Sequence, residues 1–184
     1  MKKLVVILFL MSSFGLNLYA QTTSDNATAI FSEACLQAKE ENKNVIVIFK
    51  ASWCKWCHKM ENSINDMSCA PFFDKSYKIV YFIIDEAKDK KHLETPGAKD
   101  FNTKYLGDRQ GLPFWLVFDA DGKLLADCMM RTSGQTMEQA GQNVGCPASD
   151  EEVNTFTDIL KKTSGLKEHE LDIIAKRFKQ NAAK

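Results

Sequence analysis

Three short apolar runs most constrain what this chain can fold into. They occupy residues 45–49, 79–84 and 114–118, and β-branched and aromatic side chains dominate them. Runs of five or six such residues are typical of buried strands. Helical spacing of apolar residues precedes the first run, over residues 29–38, and follows it over about residues 54–65. This alternation of helix and strand patterns is typical of an α/β fold.

The third run leads into a hairpin and then a C-terminal extension. The sequence Asp119-Ala120-Asp121-Gly122 is typical of a turn, so residues 123–130 are expected to return as an antiparallel strand. Residues 131–148 are polar and are predicted to form a loop, or to hold a broken helix around residues 136–142. A Ser-x-x-Glu capping box at Ser149 begins two further helical patterns. The chain is therefore expected to hold one domain, residues 29–184, with extra C-terminal helices from about residue 149.

The N-terminus has the pattern of a secretory signal peptide over residues 1–20. Two lysines precede an apolar segment that is too short for a comfortable membrane span. Cleavage after Ala20 would leave residues 21–28 as a flexible polar spacer. Leu18 is larger than the small residue usual at that position, so an uncleaved anchor stays open as an alternative. The protein is expected to be exported, to a periplasm or to the extracellular space.

The charge balance and the cysteine content limit the kinds of function that fit this chain. The 24 basic and 24 acidic residues cancel. No cluster of Lys and Arg with interleaved aromatic residues appears, so nucleic acid is not an expected partner. The six cysteines suit an exported protein, because disulfides form and persist in oxidising compartments.

The segment directly after the first predicted strand carries the chemistry. Cys54 and Cys57 are separated by two residues, a spacing at which both sulfurs can bond within the first turn of a helix. Cys54 would lie at the positive end of the helix dipole beside Lys55, and both effects favour a thiolate. We therefore interpret Cys54 as the attacking sulfur and Cys57 as the sulfur that resolves the mixed disulfide.

These residues resemble the thioredoxin superfamily, specifically its exported single-domain members. The resemblance depends on a buried strand followed by Ala51-Ser52-Trp53-Cys54-x-x-Cys57, on the second strand, and on Gly111-Leu112-Pro113 entering a hairpin. It covers roughly residues 29–130. The combination is more specific than Cys-x-x-Cys alone. The resemblance implies a thioredoxin-like fold, with a central mixed β-sheet flanked by helices on both faces, and it implies thiol–disulfide exchange.

The resemblance also implies a substrate edge beside the cysteines. Pro113 is expected to have a cis peptide bond with Leu112 and to lie opposite the pair, where the backbone of Leu112 would meet an extended substrate segment. Exposed Trp53 and Trp56 would suit docking of a partner protein. Packing against the strand is the alternative role for Trp53.

The sequence departs from the thioredoxin pattern at two places. Ile48 stands where thioredoxins have a buried aspartate, and Tyr81 stands where the neighbouring strand has a lysine. Lys55-Trp56 replaces the Gly-Pro between the cysteines, which affects the reduction potential through thiolate stability. Without the aspartate, the proton of Cys57 must pass to another acceptor. The candidates are water, Lys55, His58 and Asp85.

The same residues allow three other interpretations: a haem attachment site, a structural disulfide and a zinc site. Cys54-x-x-Cys57-His58 fits the attachment signature of a c-type haem, although several β-strands are unusual around a haem. A non-catalytic binding module could keep Cys54–Cys57 as a structural disulfide. A zinc site would need four ligands, and no second Cys-x-x-Cys completes one, so no metal is expected.

Four cysteines lie outside the motif. Cys128 and Cys146 flank the polar segment, and a bridge between them would stabilise the fold by ~3 kcal/mol through loop entropy. This is the preferred structural disulfide. Cys35 and Cys69 could form a second bridge, but Cys35 lies among helical apolar positions and fits a buried free thiol equally well.

Together these observations predict an exported thiol–disulfide oxidoreductase. It would act on protein disulfides through Cys54-Lys55-Trp56-Cys57, as a reductase rather than an oxidase, without a bound cofactor. Its electrons would be exchanged with another dithiol protein, which we expect to be embedded in a membrane. The protein itself is expected to be a monomer.

Overall fold

The computed structural model describes residues 26–182. The predicted signal peptide and most of the predicted spacer lie outside the described residues. Short 3₁₀ helices occur at Lys88–Leu93 and Gln180–Ala182. The helices and strands follow in the order α1 Ala27–Glu41, β1 Asn44–Lys50, α2 Lys55–Ile64, α3 Ala70–Ser76, β2 Tyr77–Ile83, α4 Ala98–Lys104, β3 Phe114–Phe118, β4 Leu124–Asp127, β5 Met129–Met130, β6 Gln142–Asn143, α5 Asp150–Thr163 and α6 Glu168–Lys179.

The first helix starts two residues earlier than the apolar pattern predicts. Its N-cap is Asn26, whose side chain accepts a hydrogen bond from the backbone N–H of Ala29 at 2.9 Å. The N–H of Ala27 donates to the carbonyl of Pro96 at 2.8 Å, so the helix start is tied to the loop before α4. A polar N-cap satisfies amides that the helix itself leaves unpaired.

Four strands form the central sheet in the order β2-β1-β3-β4. Strand β1 runs parallel to β2 and antiparallel to β3, and β3 and β4 form an antiparallel hairpin. The predicted mixed sheet is therefore confirmed. In this register Ile48 of β1 lies between Tyr81 of β2 and Trp115 of β3.

The hairpin turn has the expected chemistry. The carboxylate of Asp119 accepts hydrogen bonds from the N–H groups of Asp121 and Lys123, at 3.0 and 2.9 Å. Gly122 has a φ of 79°, in the left-handed region where residues with a Cβ are strained. The turn sequence thus closes the β3–β4 hairpin as predicted.

The strand after this turn is shorter than predicted. Strand β4 ends at Asp127, whose buried carboxylate accepts hydrogen bonds from the Arg131 guanidinium at 2.6 and 2.8 Å and from the N–H of Met129 at 2.9 Å. Strand β5 then pairs antiparallel with β6 in a small second sheet. Part of the segment predicted as a loop is therefore a strand, because contacts distant in sequence pair residues that have no strand pattern.

Aromatic side chains pack the helices against the sheet. On one face Phe31 of α1 lies 5.2 Å from Phe101 of α4 and 4.7 Å from Phe118 of β3, measured between ring centroids. Edge-to-face contacts at such distances are favourable beyond the burial of area. This face anchors α1 and α4 beside β1 and β3.

The C-terminal helices cover the other face, which confirms the predicted extension. The ring of Phe156 in α5 lies 4.8 Å from Phe178 in α6, and both contact Phe73 of α3 at 6.3 Å. The predicted capping box is present, since Ser149 and Glu152 each accept a hydrogen bond from the other's backbone. Within residues 26–182, no helix is long and apolar enough to cross a membrane.

Candidate active site

The two motif cysteines form a disulfide at the start of α2. Cys54 is the N-cap of the helix and Cys57 lies in its first turn, with their Cα atoms 5.3 Å apart. The N–H of Cys57 donates to the sulfur of Cys54 at 3.1 Å. Cys54 is 4% exposed and Cys57 is 2% exposed. A sulfur at a helix N-terminus that accepts an N–H is stabilised as a thiolate once the disulfide is reduced.

Two tryptophans flank the pair on the surface. Trp53 is 60% exposed and Trp56 is 46% exposed. The indole N–H of Trp53 donates to the carbonyl of Asp85 at 2.8 Å, and the Lys59 ammonium lies 4.6 Å from the Trp56 ring centroid. Trp53 therefore lies on the surface rather than packed beneath the strand, as partner docking would require.

The predicted cis-proline loop lies against the cysteines. The peptide bond between Leu112 and Pro113 is cis, and Pro113 is buried at the start of β3. The half-buried side chain of Leu112 packs against the small cluster of Ala51, Cys54 and Cys57. Lys55 is exposed on α2. The fold thus brings Leu112 to the pair and leaves Lys55 in solvent.

The acid that contacts the motif is Glu86, which the sequence analysis missed. Its carboxylate accepts hydrogen bonds from the N–H of Ser52 at 2.5 Å and from the Ser52 hydroxyl at 2.8 Å. These bonds hold the pKa of the Glu86 carboxyl below its usual range. The carboxylate of Asp85, proposed above as a proton acceptor, pairs instead with Lys99 at 2.8 Å. A signal existed, because Glu86 is the third residue after β2, and the residues that follow β2 lie near the end of the parallel strand β1.

The Ser52 turn is held from a second side by His58. A ring nitrogen of His58 lies 3.0 Å from the carbonyl oxygen of Ser52. The N–H of Cys54 donates to the carbonyl of Ala51 at 3.1 Å. His58 therefore fixes the turn that presents Cys54, a role that sequence reasoning did not assign to it.

Ile48, at the usual aspartate position, has apolar and aromatic neighbours. Ile48 is 2% exposed and lies opposite Tyr81, where burial raises the pKa of the Tyr81 hydroxyl to about 12. The Lys50 ammonium lies 4.7 Å from the Tyr81 ring centroid and donates to Glu61 at 2.6 Å. Glu61 is four residues after Cys57 on α2, so both side chains lie on one side of the helix. The ionisable groups at this end of β1 are thus the half-buried ion pair of Lys50 and Glu61.

Comparison with known families decides what this arrangement is. The profile of the thioredoxin-like domain family matches residues 31–144, more than half of the chain. The chain belongs to this family. A Cys-x-x-Cys disulfide in a thioredoxin-like domain is the arrangement of thiol–disulfide oxidoreductases, so the family and the site agree.

Two solved structures are among those similar to this chain. A disulphide isomerase from Xylella fastidiosa Temecula1 is 22% identical, covers 61% of this chain and 79% of its own, and has a TM-score of 0.45. The C-terminal domain of DsbD from Neisseria meningitidis, in its oxidised form, is 21% identical, covers 55% of this chain and 81% of its own, and has a TM-score of 0.39. A search of curated protein sequences found no significant match.

The prediction of a structural disulfide between Cys128 and Cys146 is wrong. Cys128 and Cys146 are both buried free thiols. The Cys128 thiol donates to the side-chain oxygen of Asn143 at 3.1 Å, and the Cys146 sulfur accepts a hydrogen bond from Asn181 at 3.3 Å. Burial raises the pKa of Cys146 to about 12. Each thiol has its own polar partner. Because the fold directs the two sulfurs to different neighbours, the bridge predicted from loop entropy does not form.

The second suggested bridge is also absent. Cys35 and Cys69 are buried free thiols, which confirms the alternative given for Cys35. Cys35 lies on the core side of α1, whereas Cys69 precedes α3 and lies 3.7 Å from the Ser68 hydroxyl. Burial raises the pKa of both thiols. They are core side chains of the thioredoxin-like domain.

A groove of about 240 Å³ opens beside the disulfide. Trp56, Leu112 and residues 143–146 are among the residues that line it. The described part of the chain, residues 26–182, holds no group of three or more His, Cys, Asp or Glu side chains placed to bind a metal. The thioredoxin-like domain thus has a disulfide with an adjoining groove that Trp56 and Leu112 help to line.

Proposed function

We propose that this protein is an exported thiol–disulfide oxidoreductase that reduces disulfides in other proteins. The observation that carries the proposal is the Cys54–Cys57 disulfide at the start of α2, facing the Leu112–Pro113 loop in a member of the thioredoxin-like family. The redox-active group is this cysteine pair, and the proposed chemistry needs no other cofactor.

The reaction proceeds in two exchanges. The Cys54 thiolate attacks one sulfur of a substrate disulfide, which forms a mixed disulfide and releases the other substrate sulfur as a thiolate that takes a proton from water. Cys57 then loses its proton to water, and its thiolate attacks the Cys54 sulfur. The second substrate sulfur leaves, so the substrate gains two electrons. The protein is left with the oxidised pair seen in the structure.

We infer the reductive direction from the few contacts that would stabilise a Cys54 thiolate. Its sulfur accepts one N–H, that of Cys57, at the end of a ten-residue helix. Lys55 is exposed, so solvent screens its charge. Strong oxidants depend on a much more stable thiolate, which raises their reduction potential. We expect a potential closer to about −270 mV than to about −120 mV.

The proposal includes export and a second dithiol protein. Residues 1–20 have the pattern of a signal peptide, which would direct the domain to a periplasm or to the extracellular space. Each turnover oxidises Cys54–Cys57, so a reductant must restore it. We propose that a membrane-embedded dithiol protein supplies these electrons and that the oxidoreductase acts as a monomer.

The test compares insulin reduction by the wild-type protein, Cys54→Ser and Cys57→Ser with dithiothreitol as reductant. The wild type should accelerate reduction and Cys54→Ser should not. Cys57→Ser should accumulate mixed disulfides, because Cys54 can attack but nothing resolves the product. Activity that persists in Cys54→Ser would contradict the proposal.

The same preparation separates the alternatives. Titration of Cys54–Cys57 against glutathione gives the potential, and a value near about −120 mV would overturn the reductive direction. A pair that stays oxidised at every glutathione ratio, with no insulin reduction, would show a structural disulfide in a binding module. A Soret band in the purified protein would show a covalently attached haem.

A further inference from the structure

Asn143 of β6 joins the small second sheet to the cis-proline loop. Its side-chain NH₂ group donates to the carbonyl of Gly111 at 2.7 Å and to the carbonyl of Pro113 at 3.3 Å. These two carbonyls stand on either side of Leu112. One side chain from a distant part of the sequence therefore holds both ends of the segment that lies against Cys54.

The orientation of the Asn143 amide is determined by its other contacts. Its oxygen accepts hydrogen bonds from the N–H of Gly145 at 2.9 Å and from the Cys128 thiol at 3.1 Å. The Cys128 sulfur in turn accepts the N–H of Trp115 at 3.2 Å. Burial raises the pKa of Cys128 far above its usual range, so the thiol keeps the proton that it donates. Two donors on the oxygen leave the NH₂ group directed at the loop.

Residues 143–146 are also fixed to β3 and to the segment after β4. The indole N–H of Trp115 donates to the carbonyl of Gly145 at 2.9 Å, and the N–H of Val144 donates to the carbonyl of Cys128 at 2.8 Å. Trp115 is 1% exposed and Cys128 is fully buried, so these anchors belong to the core. This segment forms part of the wall of the groove that Trp56 also lines.

The backbone of Leu112 is available to a ligand. Among residues 26–182, its N–H and its carbonyl have no hydrogen-bond partner, whereas the carbonyls of Gly111 and Pro113 are occupied by Asn143. An extended chain satisfies such groups by adding backbone hydrogen bonds along the edge. The groove lined by Trp56 and residues 143–146 leaves room for its side chains.

We propose that Asn143 is a positioning residue that holds the Leu112 edge and the adjoining groove wall in place for an extended polypeptide segment of the substrate. The proposal depends on the proposed function. Asn143 does not touch the reacting sulfurs. Its replacement should therefore affect the binding of substrates that fill the groove. Its replacement should not affect the rate with a small disulfide that contacts Cys54 but not the groove.

The test uses Asn143→Asp and Asn143→Ala with insulin and with hydroxyethyl disulfide as substrates. The aspartate keeps an oxygen for Gly145 and Cys128 but removes both donors to the loop. Gln142→Ala, at the exposed neighbour on β6, is the matched control. We expect the KM for insulin to rise about tenfold in both Asn143 variants, the loss expected for two hydrogen bonds. The kcat, the rate with hydroxyethyl disulfide and the potential of the cysteine pair should stay within twofold of wild type, as should every measurement on Gln142→Ala.

Two outcomes would overturn the positioning role. One is an unchanged KM for insulin in both variants, and the other is an equal loss with both substrates, which would show general damage to the fold. Backbone amide relaxation by NMR provides a reading that needs no activity. The order parameter at Leu112 should fall in Asn143→Asp, and an unchanged value would contradict the proposal. A wild-type protein that is inactive on both substrates would instead refute the proposed function.

Discussion

The carboxylate of Glu86 accepts two hydrogen bonds from Ser52, one from its backbone N–H and one from its hydroxyl. Glu86 lies two residues before the 3₁₀ helix Lys88–Leu93, which has no buried residue, but Glu86 itself is only 4% exposed. Parallel pairing of β1 and β2 places the ends of both strands at the same edge of the sheet, which brings Glu86 to the turn before Cys54. The turn that presents the attacking sulfur is therefore held by a charged acceptor.

Replacing Glu86 should lower stability in a pH-dependent way. The Ser52 bonds hold the pKa of Glu86 below its ordinary value of 4.5, so the carboxylate stabilises the folded state fully above that pH. This contribution is lost as the pH falls through the lower folded-state pKa. We expect Glu86→Gln to melt below the wild type at pH 7, and the difference between the two melting temperatures to shrink as the pH falls below 4.5.

Thermal melts from pH 7 to pH 3 by circular dichroism would measure this, with Glu138→Gln as the control. Glu138 is exposed in the segment between β5 and β6, and its replacement should leave the melting temperature within about 1 °C at every pH. A Glu86→Gln deficit that stays constant across the whole range would show that charge on Glu86 is not what stabilises the turn.

Thiol counting should show one disulfide in the oxidised protein. Unfolded without reductant, the described domain should titrate four thiols, from Cys35, Cys69, Cys128 and Cys146. The folded protein should react at least about tenfold more slowly, because burial restricts access and raises the pKa of each thiol. Cys54→Ser should give five thiols when unfolded. A count of two in the wild type would show an extra bridge.

Removing the Phe178 ring should destabilise the whole domain. The side chain is fully buried against Phe73 and Phe156, so Phe178→Ala should lower the free energy of unfolding by about 3–5 kcal/mol. Ile173→Ala, on the same helix but 39% exposed, should cost about 0.5 kcal/mol or less. Urea unfolding measures the loss in the free energy of unfolding for both variants. Equal small losses would mean that α6 does not share the core with the sheet.

Much of the fold followed from local patterns. The three apolar runs became β1, β2 and β3, and the Ser149 capping box began α5, because strand burial and helix capping depend on residues close in sequence. The resemblance to thioredoxins added the mixed sheet and the cis bond before Pro113, both of which the structure confirms. Local patterns failed at β5 and β6, two-residue strands with no alternation to detect.

In the candidate active site, too, some features follow from the sequence and others only from the tertiary structure. The sequence by itself determined that Cys54 and Cys57 can form a disulfide at a helix N-terminus, since three residues of helix bring the two sulfurs together. Only the tertiary structure decided that Glu86 holds the turn, that Asn143 holds the cis-proline loop, and that four cysteines stay apart. These contacts join residues 15 to 34 positions apart, and their geometry depends on how the sheet and its extension pack.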